Sequence, residues 1–344
     1  MISKPLLDWY SSNKRTLPWR NTKDPYKIWI SEIMLQQTQV ATAIPYYNRW
    51  IKRFPNALVL SQTPYNEVLK LWEGLGYYSR CKNIYQTSKI IKNSFPDTYI
   101  DLIKLPGIGD YTAKTILAIA FNKSEVGIDT NLERISFRLL GLKKRSKFNQ
   151  NRARKFLENV QDRESPGDFN QALMDLGSSF CQAKTVHCDP CPITSDCKAT
   201  LNDNPLQYPE TKKSKSIPTI NAAVCIISHN SKLLLMQRPQ NKMLGGLWEF
   251  PGGKIKLGEP KENATTREVK EETGLIIKDP KYLGEVKHQY SHFKVSISLF
   301  YHTIDDISSI KIKENYIWTT MKGLDKFPLP KANYKMLELL NKAI

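Results

Sequence analysis

The chain has 344 residues, enough for two domains, and its 40% hydrophobic and 24% charged residues exclude an intrinsically disordered protein. Lysine and arginine outnumber acidic residues by 51 to 33, and this net charge of +18 favours a nucleic-acid partner, although a lysine-rich proteome would give the same excess. Residues 1–15 contain no apolar signal segment and no apolar run spans a bilayer, so we expect a cytoplasmic protein without membrane contact.

Residues 1–201 are predicted to form an all-α domain. Short amphipathic segments alternate there with proline and glycine turns, for example at Pro45, Pro55 and Pro106–Gly109. Residues 202–219 are polar and basic and contain proline, a composition typical of an exposed linker. We therefore expect a second domain to begin at residue 220.

The second domain, residues 220–344, is predicted to be a smaller α+β domain. Short apolar runs favour strands there, and longer amphipathic runs favour helices. The expected strands are 222–227, 233–237, 282–288 and 293–301, with a turn at His229-Asn230 and helices at about 260–273 and 333–343. The predicted fold class is multidomain, an all-α domain followed by an α+β domain.

A glycine-containing turn precedes a long apolar helix in the first domain. Its sequence at 105–110 is Leu-Pro-Gly-Ile-Gly-Asp, in which Gly107 and Gly109 would let the backbone turn and present amides to a DNA phosphate. Asp129 follows Tyr111 by 18 residues. The turn alone would fit an ordinary helical connection, but turn and aspartate together resemble the helix–hairpin–helix DNA glycosylase superfamily.

Position 111 indicates the type of reaction that this resemblance implies. Bifunctional members of the superfamily carry a lysine there, which forms a Schiff base with the sugar. Tyr111 cannot form one, so the resemblance implies a monofunctional glycosylase that cuts only the N-glycosidic bond. Lys114, one helical turn later, is expected to face a phosphate or solvent.

Four cysteines crowd into a short segment of the first domain. Their spacing is C-x6-C-x2-C-x5-C, in which four thiolates can hold one [4Fe–4S] cluster. A four-cysteine zinc site is the alternative, although zinc modules usually contain two C-x2-C pairs. The spacing resembles the cluster loop of these glycosylases, and the resemblance implies iron–sulfur ligands at Cys181, Cys188, Cys191 and Cys197.

Four motifs in the first 80 residues distinguish among members of this superfamily. They are RTLPWR at 15–20, PYKIW at 25–29, SEIMLQQTQV at 31–40 and GLGYYSR at 74–80. They resemble the MutY family of adenine DNA glycosylases, and the resemblance extends from residue 1 to about residue 210. It implies a monomeric repair enzyme that removes adenine mispaired with 8-oxoguanine or guanine in double-stranded DNA.

The same resemblance implies roles for individual residues. Glu32 would protonate adenine at N7, and Asp129 would stabilise the cationic sugar, with Tyr111 and Asn131 as their supports. Two carboxyls suit this chemistry, because adenine leaves poorly as an anion while the sugar gains positive charge. The residues implied for the adenine pocket and for the wedge into the base stack are Arg15, Leu17, Trp19, Arg20, Gln37, Tyr77 and Gln171.

The second domain contains a nucleotide-hydrolase motif. Residues 253–275 match the Nudix pattern G-x5-E-x7-R-E-U-x-E-E-x-G-U without a mismatch. In that pattern Glu268, Glu271 and Glu272 would share one face of a helix, where carboxylates can hold Mg²⁺ against a diphosphate. Segments 248–254 and 327–333 also resemble MutT, the 8-oxo-dGTP diphosphatase.

A loop of the same domain instead resembles the lesion-recognition loop of MutY proteins. Its sequence at 288–292 is HQYSH, in which Tyr290, Ser291 and His292 would recognise 8-oxoguanine. Two interpretations stay open: the domain docks on 8-oxoguanine in DNA, or it also hydrolyses 8-oxo-dGTP with Mg²⁺. We expect docking to be its main role.

Three other functions fit parts of the pattern. A mismatch thymine or uracil glycosylase would share the 74–80 and cysteine motifs, but the second domain and its 288–292 loop argue against it. A protein that flips damaged bases without cutting would lack Glu32 or Asp129, and both are present. A nucleotide diphosphatase tethered to DNA by its helical domain is the third.

Overall fold

The computed structural model describes residues 2–92, 94–202, 204–210, 216–290, 293–307 and 314–343. The chain divides into two compact units, one of Met1–Gln62 with Asn83–Lys213 and one of Thr63–Lys82 with Ser214–Ile344. The second unit thus includes residues 63–82, which lie inside the predicted helical domain. Within the described residues, no helix combines the length and the apolar character needed to cross a membrane.

Helices account for most of residues 1–201, as predicted. Polar side chains begin several of them: Asp24 accepts hydrogen bonds from the backbone N–H groups of Tyr26 and Lys27, and Ser146 accepts one from Asn149. The helices are α1 (Ser3–Asn13), α2 (Pro25–Leu35), α3 (Val40–Arg53), α4 (Ala57–Gln62), α5 (Tyr65–Trp72), α6 (Tyr78–Ile91), α7 (Tyr99–Leu102), α8 (Asp110–Phe121), α9 (Thr130–Leu140), α10 (Lys147–Val160) and α11 (Pro166–Ser179).

Helices α2, α8 and α11 form the centre of the first unit. Helix α2 packs on α8, and α8 packs on α11. Residues of α2 are buried on almost every side, including Ile28, Trp29 and Ile33, which is why its sequence is apolar beyond one stripe. Gly167 lets α11 approach α8, because a Cβ there would lie 3.0 Å from the Ala118 carbonyl oxygen. The central helices therefore carry their few polar side chains inside the unit.

The second unit contains a mixed sheet of seven strands among its described residues. The strand order is β3-β2-β1-β6-β5, with β4 paired to β1 and β7 paired to β2. Strands β1 and β6 are parallel, from Thr219 opposite Lys294 to Ser228 opposite Thr303, and the other pairs are antiparallel. The strands are β1 (Thr219–His229), β2 (Lys232–Gln237), β3 (Trp248–Glu249), β4 (Gly252–Lys254), β5 (Lys281–Gln289), β6 (Lys294–Thr303) and β7 (Tyr316–Thr320).

Two helices cover the two faces of this sheet. Because side chains alternate along a strand, Val224 and Ile226 of β1 join the core cluster that contains residues of α13 (Lys331–Ala343). Cys225 and Ile227 point into the opposite cluster, with Val269 of α12 (Lys261–Thr273). The predicted α+β fold of the second domain is confirmed.

The differences from the predicted elements have local causes. The β1–β2 turn is at Asn230-Ser231, one residue later than expected. These two residues form a two-residue hairpin loop, and both adopt positive φ (47° and 60°), as such loops require. Strands β3, β4 and β7 were not predicted. They contain five residues or fewer, too few for an alternating apolar pattern to stand out.

Candidate active site

A cavity of about 180 Å³ lies in the first unit, bounded by α2, α8, α11 and the segment before α2. Cavities of about 150 Å³ can take a flat ring such as benzene, so this one suits a single planar base. The structure brings eight residues named from the sequence into its wall: Arg15, Leu17, Trp19, Arg20, Glu32, Tyr111, Asn131 and Gln171.

The Glu32 carboxyl lines this cavity and is a weaker acid than an ordinary glutamate. Burial is the main cause that raises its pKa to about 7, and the negative charge of Asp129 raises it too. The Tyr111 hydroxyl, which donates to Glu32 Oε2 at 2.6 Å, and the charge of Arg20 act in the opposite direction. Glu32 can therefore carry a proton near neutral pH.

Tyr111 is held against Glu32 by close packing of α8 on the loop before α9. Gly127 in that loop leaves no room for a side chain, since a Cβ would lie 2.1 Å from Thr115 Oγ1 and 2.9 Å from the Tyr111 carbonyl oxygen. The Gly127 amide donates to Asn170 Oδ1 at 3.0 Å, which fixes the loop to α11. A small residue at 127 thus sets the position of the tyrosine.

Asp129 is the N-terminal capping residue of α9. Its Oδ1 accepts from the backbone N–H groups of Asn131 and Leu132, both at 2.8 Å, and its Oδ2 accepts from Asn131 Nδ2 at 2.9 Å. Burial raises the pKa of Asp129, whereas these hydrogen bonds and the charge of Arg134 lower it. The side chain is therefore fixed in place by both oxygens.

A chain of hydrogen bonds runs from Asp129 to the cysteine segment. Asn131 Oδ1 accepts from Arg134 Nη1 at 2.8 Å, and Arg134 Nε donates to the Cys181 carbonyl oxygen at 3.0 Å. Arg138 Nη1, one turn further along α9, lies 3.2 Å from Cys181 Sγ. Helix α9 therefore contacts the aspartate at its start and the cysteine segment along its length.

The four cysteines lie close enough for their charges to interact. Burial, with smaller contributions from the thiolates of the other three, raises the pKa of Cys191 to about 11, while an N–H of Ile193 opposes this. Burial also raises the pKa of Cys197, while the N–H groups of Ala199 and Thr200 oppose this. Arg138 Nη1 donates to Cys181 Sγ and adds positive charge. Burial thus favours neutral thiols in this segment, and the N–H donors and the cation favour thiolates.

Asp175 of α11 is a residue of this site that sequence reasoning missed. Its side chain is 1% exposed and binds both Arg15 and Arg20, with N–O distances of 2.5 and 2.7 Å. Its only signal in the sequence is an acidic residue among the apolar positions of a helix, four residues after Gln171. Such a position is expected to be buried, and a buried acid requires a cationic partner.

The two predicted wedge residues share a strained backbone. Gln37 has φ of 56° and Tyr77 has φ of 49°. Non-glycine residues adopt this conformation at a cost of order 1–3 kcal/mol, and such strain concentrates at functional sites. Gln37 is exposed and does not line the cavity, whereas Tyr77 belongs to the other compact unit.

The predicted hairpin has the required conformation. Gly107 has φ of +79°, and a Cβ there would lie 2.7 Å from Asn83 Cβ. Gly109 is exposed and directly precedes α8, where helix N–H groups are free for an anion. The expectation for Lys114 is wrong: its side chain is 14% exposed and lies 3.7–3.8 Å from three carboxylates, those of Asp110, Glu125 and Glu158.

The predicted lesion-recognition loop is only partly described. Tyr290 stacks on Phe293, with ring centroids 4.9 Å apart at 29°, and contacts the His288 ring at its edge. Ser291 and His292, named with Tyr290 from the sequence, lie outside the described residues. Tyr290 is half-buried in the wall of the second unit.

The three Nudix glutamates lie on α12, and each of them accepts a hydrogen bond from another group of the protein. Arg267 Nη1 donates to Glu268 at 2.6 Å and to Glu271 at 3.4 Å, and Glu272 accepts from the Gly252 N–H at 2.9 Å. Burial raises the pKa of Glu272 to about 7. In the part of the chain that the structure describes, no group of three or more His, Cys, Asp and Glu side chains is positioned to hold a metal ion.

Two family models match the chain. One describes an HhH-GPD superfamily base excision DNA repair protein and covers residues 30–161, and the other describes a NUDIX domain and covers residues 222–339. An adenine DNA glycosylase of Buchnera aphidicola subsp. Baizongia pistaciae is 36% identical, over 98% of this chain and 96% of its own. One of Homo sapiens is 30% identical over 86% of this chain and 65% of its own.

Solved structures share the helical fold. A thermostable thymine-DNA glycosylase superposes with a TM-score of 0.54 at 24% identity, covering 58% of this chain and 94% of its own. Endonuclease III in a non-covalent DNA complex superposes with a TM-score of 0.50 at 20% identity, again over 58% of this chain and 94% of its own. At these identities the similarity concerns the fold of the helical part.

Proposed function

Since this chain belongs to the adenine DNA glycosylases, N-glycosyl hydrolases of base excision repair, we propose that it removes adenine opposite 8-oxoguanine or guanine. The observation that carries this proposal is a protonatable carboxyl, Glu32, in the wall of a base-sized cavity beside the fixed carboxylate of Asp129. We expect the enzyme to act as a monomer on double-stranded DNA in the bacterial cytoplasm.

Protonation of the leaving base is assigned to Glu32. Adenine departs easily only as a neutral base, so a proton must reach a ring nitrogen, N7, as the glycosidic bond breaks. A carboxyl whose pKa is about 7 holds that proton at neutral pH and is still acidic enough to release it. Tyr111 donates to Glu32 Oε2 and so fixes the orientation of this carboxyl in the cavity wall.

Stabilisation of the sugar is assigned to Asp129. The sugar becomes positively charged when the base leaves, and a fixed carboxylate offsets that charge without having to reorganise. Three hydrogen bonds from Asn131 and Leu132 hold Asp129 in its anionic form. Asn131 is therefore a supporting residue. Tyr111 provides no amine to attack the sugar. Water is therefore the expected nucleophile, and the DNA backbone stays intact in the product.

Recognition of the extruded base is assigned to the cavity wall. Trp19, 7% exposed, packs edge-on against Tyr47 of α3 and offers a rigid aromatic surface. Leu17 adds apolar surface, and Arg15, Arg20 and Gln171 supply donors and acceptors. A base must leave the duplex to enter such a cavity, which gives Gln37 and Tyr77 their proposed role as wedges in the base stack.

A single-turnover assay on matched duplexes tests the proposal. The duplexes carry adenine opposite 8-oxoguanine, guanine or thymine, and thymine opposite guanine. We expect strand breaks at adenine opposite 8-oxoguanine and guanine only after alkali treatment. Excision of thymine instead of adenine would contradict the proposed specificity, and breaks without alkali would contradict the argument from Tyr111.

The cysteine segment is proposed to hold a [4Fe–4S] cluster. Four thiols with N–H donors and the Arg138 cation around them fit a group that is bound through cysteine thiolates. The proposed ligands are Cys181, Cys188, Cys191 and Cys197. The cluster would supply a structural cross-link, since Cys181 and Arg134 connect this segment to α9 and so to Asp129.

Iron analysis of purified variants tests this assignment. Cys197→Ser removes one proposed ligand and is expected to lower the bound iron and the visible absorbance of the cluster. Cys225→Ala removes a buried thiol of β1 in the other unit and should leave the iron content unchanged. Equal iron in both variants, or stoichiometric zinc in the parent protein, would overturn the assignment.

The second unit is proposed to dock on 8-oxoguanine in the opposite strand. The stacked pair of Tyr290 and Phe293 offers a planar surface for a base, and Ser291 and His292 are the two residues between them in the sequence. Tyr290→Ala should therefore slow excision opposite 8-oxoguanine more than opposite guanine. The duplex assay above measures both rates.

Hydrolysis of 8-oxo-dGTP is the second candidate function of this unit. The complete Nudix pattern favours it, and Arg267 binds Glu259 through two hydrogen bonds, at 2.7 and 2.9 Å, that order the motif. The arrangement of Glu268, Glu271 and Glu272 is not one that holds Mg²⁺: Arg267 and Gly252 bind one oxygen of each of these carboxylates, and the three side chains do not converge on a common point. This disagreement favours docking as the main role.

A measurement of pyrophosphate release tests whether the second unit hydrolyses 8-oxo-dGTP or only docks on 8-oxoguanine. With Mg²⁺ and 8-oxo-dGTP, we expect the parent protein to release no more pyrophosphate than Glu271→Gln, which removes the most exposed of the three carboxylates. Turnover in the parent protein that is lost in this variant would establish the hydrolase activity and contradict docking as the only role.

A further inference from the structure

Asp175 is a buried acid of the cavity region that the proposed reaction does not use. It lies on α11 with a side chain that is 1% exposed. Its Oδ1 accepts from Arg15 Nε at 2.8 Å, from Arg15 Nη2 at 2.5 Å and from Arg20 Nη2 at 2.7 Å. One carboxylate thus joins two guanidinium groups, and both of those arginines line the cavity.

The two arginines differ in how strongly water screens them. The Arg20 side chain is 7% exposed, whereas the Arg15 side chain is 36% exposed. Arg20 also donates to the Tyr10 hydroxyl, and its guanidinium lies over the Tyr10 ring at 5.5 Å. A buried cation acts over several ångströms with little screening, so Arg20 is the charge that matters for its neighbours.

Glu32 is one of these neighbours, and the charge of Arg20 lowers its pKa. Two arginines and one carboxylate leave a net charge of +1 in this part of the wall, and removing the carboxylate would leave +2. Besides burial, the groups that act on the pKa of Glu32 are Tyr111, Asp129 and Arg20. Arg20 in turn contacts Tyr10 and Asp175, and Asp175 also binds Arg15.

We propose that Asp175 is a positioning residue that holds Arg15 and Arg20 in the cavity wall and offsets their charge, so that Glu32 keeps its proton for the base. The inference rests on the proposed role of Glu32. Asp175 is buried, and both of the arginines that it binds line the cavity.

The pH profile of single-turnover excision tests this proposal. Excision needs protonated Glu32, so its rate falls as pH rises through the pKa of that residue. In Asp175→Asn the uncompensated arginines should move this midpoint down by about one pH unit. Above both midpoints, the rate should fall about tenfold below that of the parent. Asp175→Glu, which retains the charge, should return the midpoint towards the parent value.

Two further variants separate charge from packing. Tyr10→Phe removes a neutral partner of Arg20, so its midpoint should equal that of the parent. The double variant Asp175→Asn with Arg20→Gln removes the cation that lowers the pKa of Glu32, so its midpoint should return to the parental value or rise above it. It remains informative if Asp175→Asn alone fails to fold, which thermal unfolding would reveal.

An unchanged or higher midpoint in Asp175→Asn, or an unrestored midpoint in the double variant, would overturn the proposal. Glu32→Gln, measured in the same series, keeps the two hypotheses apart. If that variant retains the fall in rate with pH, the assignment of the acid to Glu32 has failed. If it loses the fall while Asp175→Asn matches the parent, only the role of Asp175 has failed.

Discussion

Glutamine in place of Glu32 is expected to slow adenine excision by roughly 10²- to 10⁴-fold, the usual contribution of a general acid. Glutamine has the shape of the acid and can still accept the Tyr111 hydrogen bond, so the fold and the cavity should survive. It has no proton to give at neutral pH. The rate constant for alkali-labile breaks at adenine opposite 8-oxoguanine, measured under single-turnover conditions, gives the loss directly.

The pH dependence of the same rate distinguishes a lost acid from a damaged pocket. Burial raises the pKa of Glu32 to about 7, so in the parent enzyme the protonated, active form predominates below pH 7 and is lost above it. The Glu32→Gln rate should lack this fall. Glu262→Gln, at an exposed site of α12, is the matched control and should behave as the parent. A variant at position 32 that excises at the parental rate would refute the assignment.

Residues that belong to a recognisable sequence motif were predictable from the sequence. Short motifs such as RTLPWR at 15–20 and the segment containing Glu32 supplied most of the eight cavity residues that were named from the sequence, because residues of one site recur together in a family. The continuous apolar run at 222–227 likewise predicted β1, whose central residues are buried. In these cases the local sequence alone determines the outcome.

Residues that act through distant partners were not predictable in this way. Asp175 and Arg15 are 160 positions apart in the chain, and only the packing of α11 against the segment before α2 brings them together. Lys114 shows the reverse case: a lysine expected to face phosphate or solvent is enclosed by carboxylates from three separate elements. The Asp110–Lys114 pair is an i,i+4 pair on α8 and could have been predicted, whereas the pairings with Glu125 and Glu158 depend on the tertiary fold.

The unit to which residues 63–82 belong was also not predictable from the sequence. These residues carry the GLGYYSR motif of the helical family, yet they pack with the second unit. Glu73 Oε1 accepts from the Leu329 N–H and from the Tyr334 hydroxyl, both at 2.6 Å, and Lys70 donates to the Phe327 carbonyl oxygen. The motif therefore did not reveal which of the two units this segment joins.

Asparagine in place of Asp129 is expected to slow excision by roughly 10²- to 10³-fold, the usual loss when a fixed electrostatic group is removed. The sugar cation then loses the anion that faces it, while the duplex can still bind. Asparagine is as good a helix cap as aspartate, so α9 should keep its start and its stability. Excision rate, duplex affinity and thermal unfolding midpoint together separate these effects.

Asp24→Asn is the matched control for this substitution. Asp24 caps α2 in the same way, through the N–H groups of Tyr26 and Lys27 at 2.9 and 3.4 Å, but its charge is not among those that act on Glu32. Both variants exchange a capping carboxylate for an amide, so they should unfold at similar temperatures. Only Asp129→Asn should lose excision, because of the two carboxylates only that of Asp129 acts on Glu32. Equal rates in the two variants would show that the aspartate serves the helix and not the reaction.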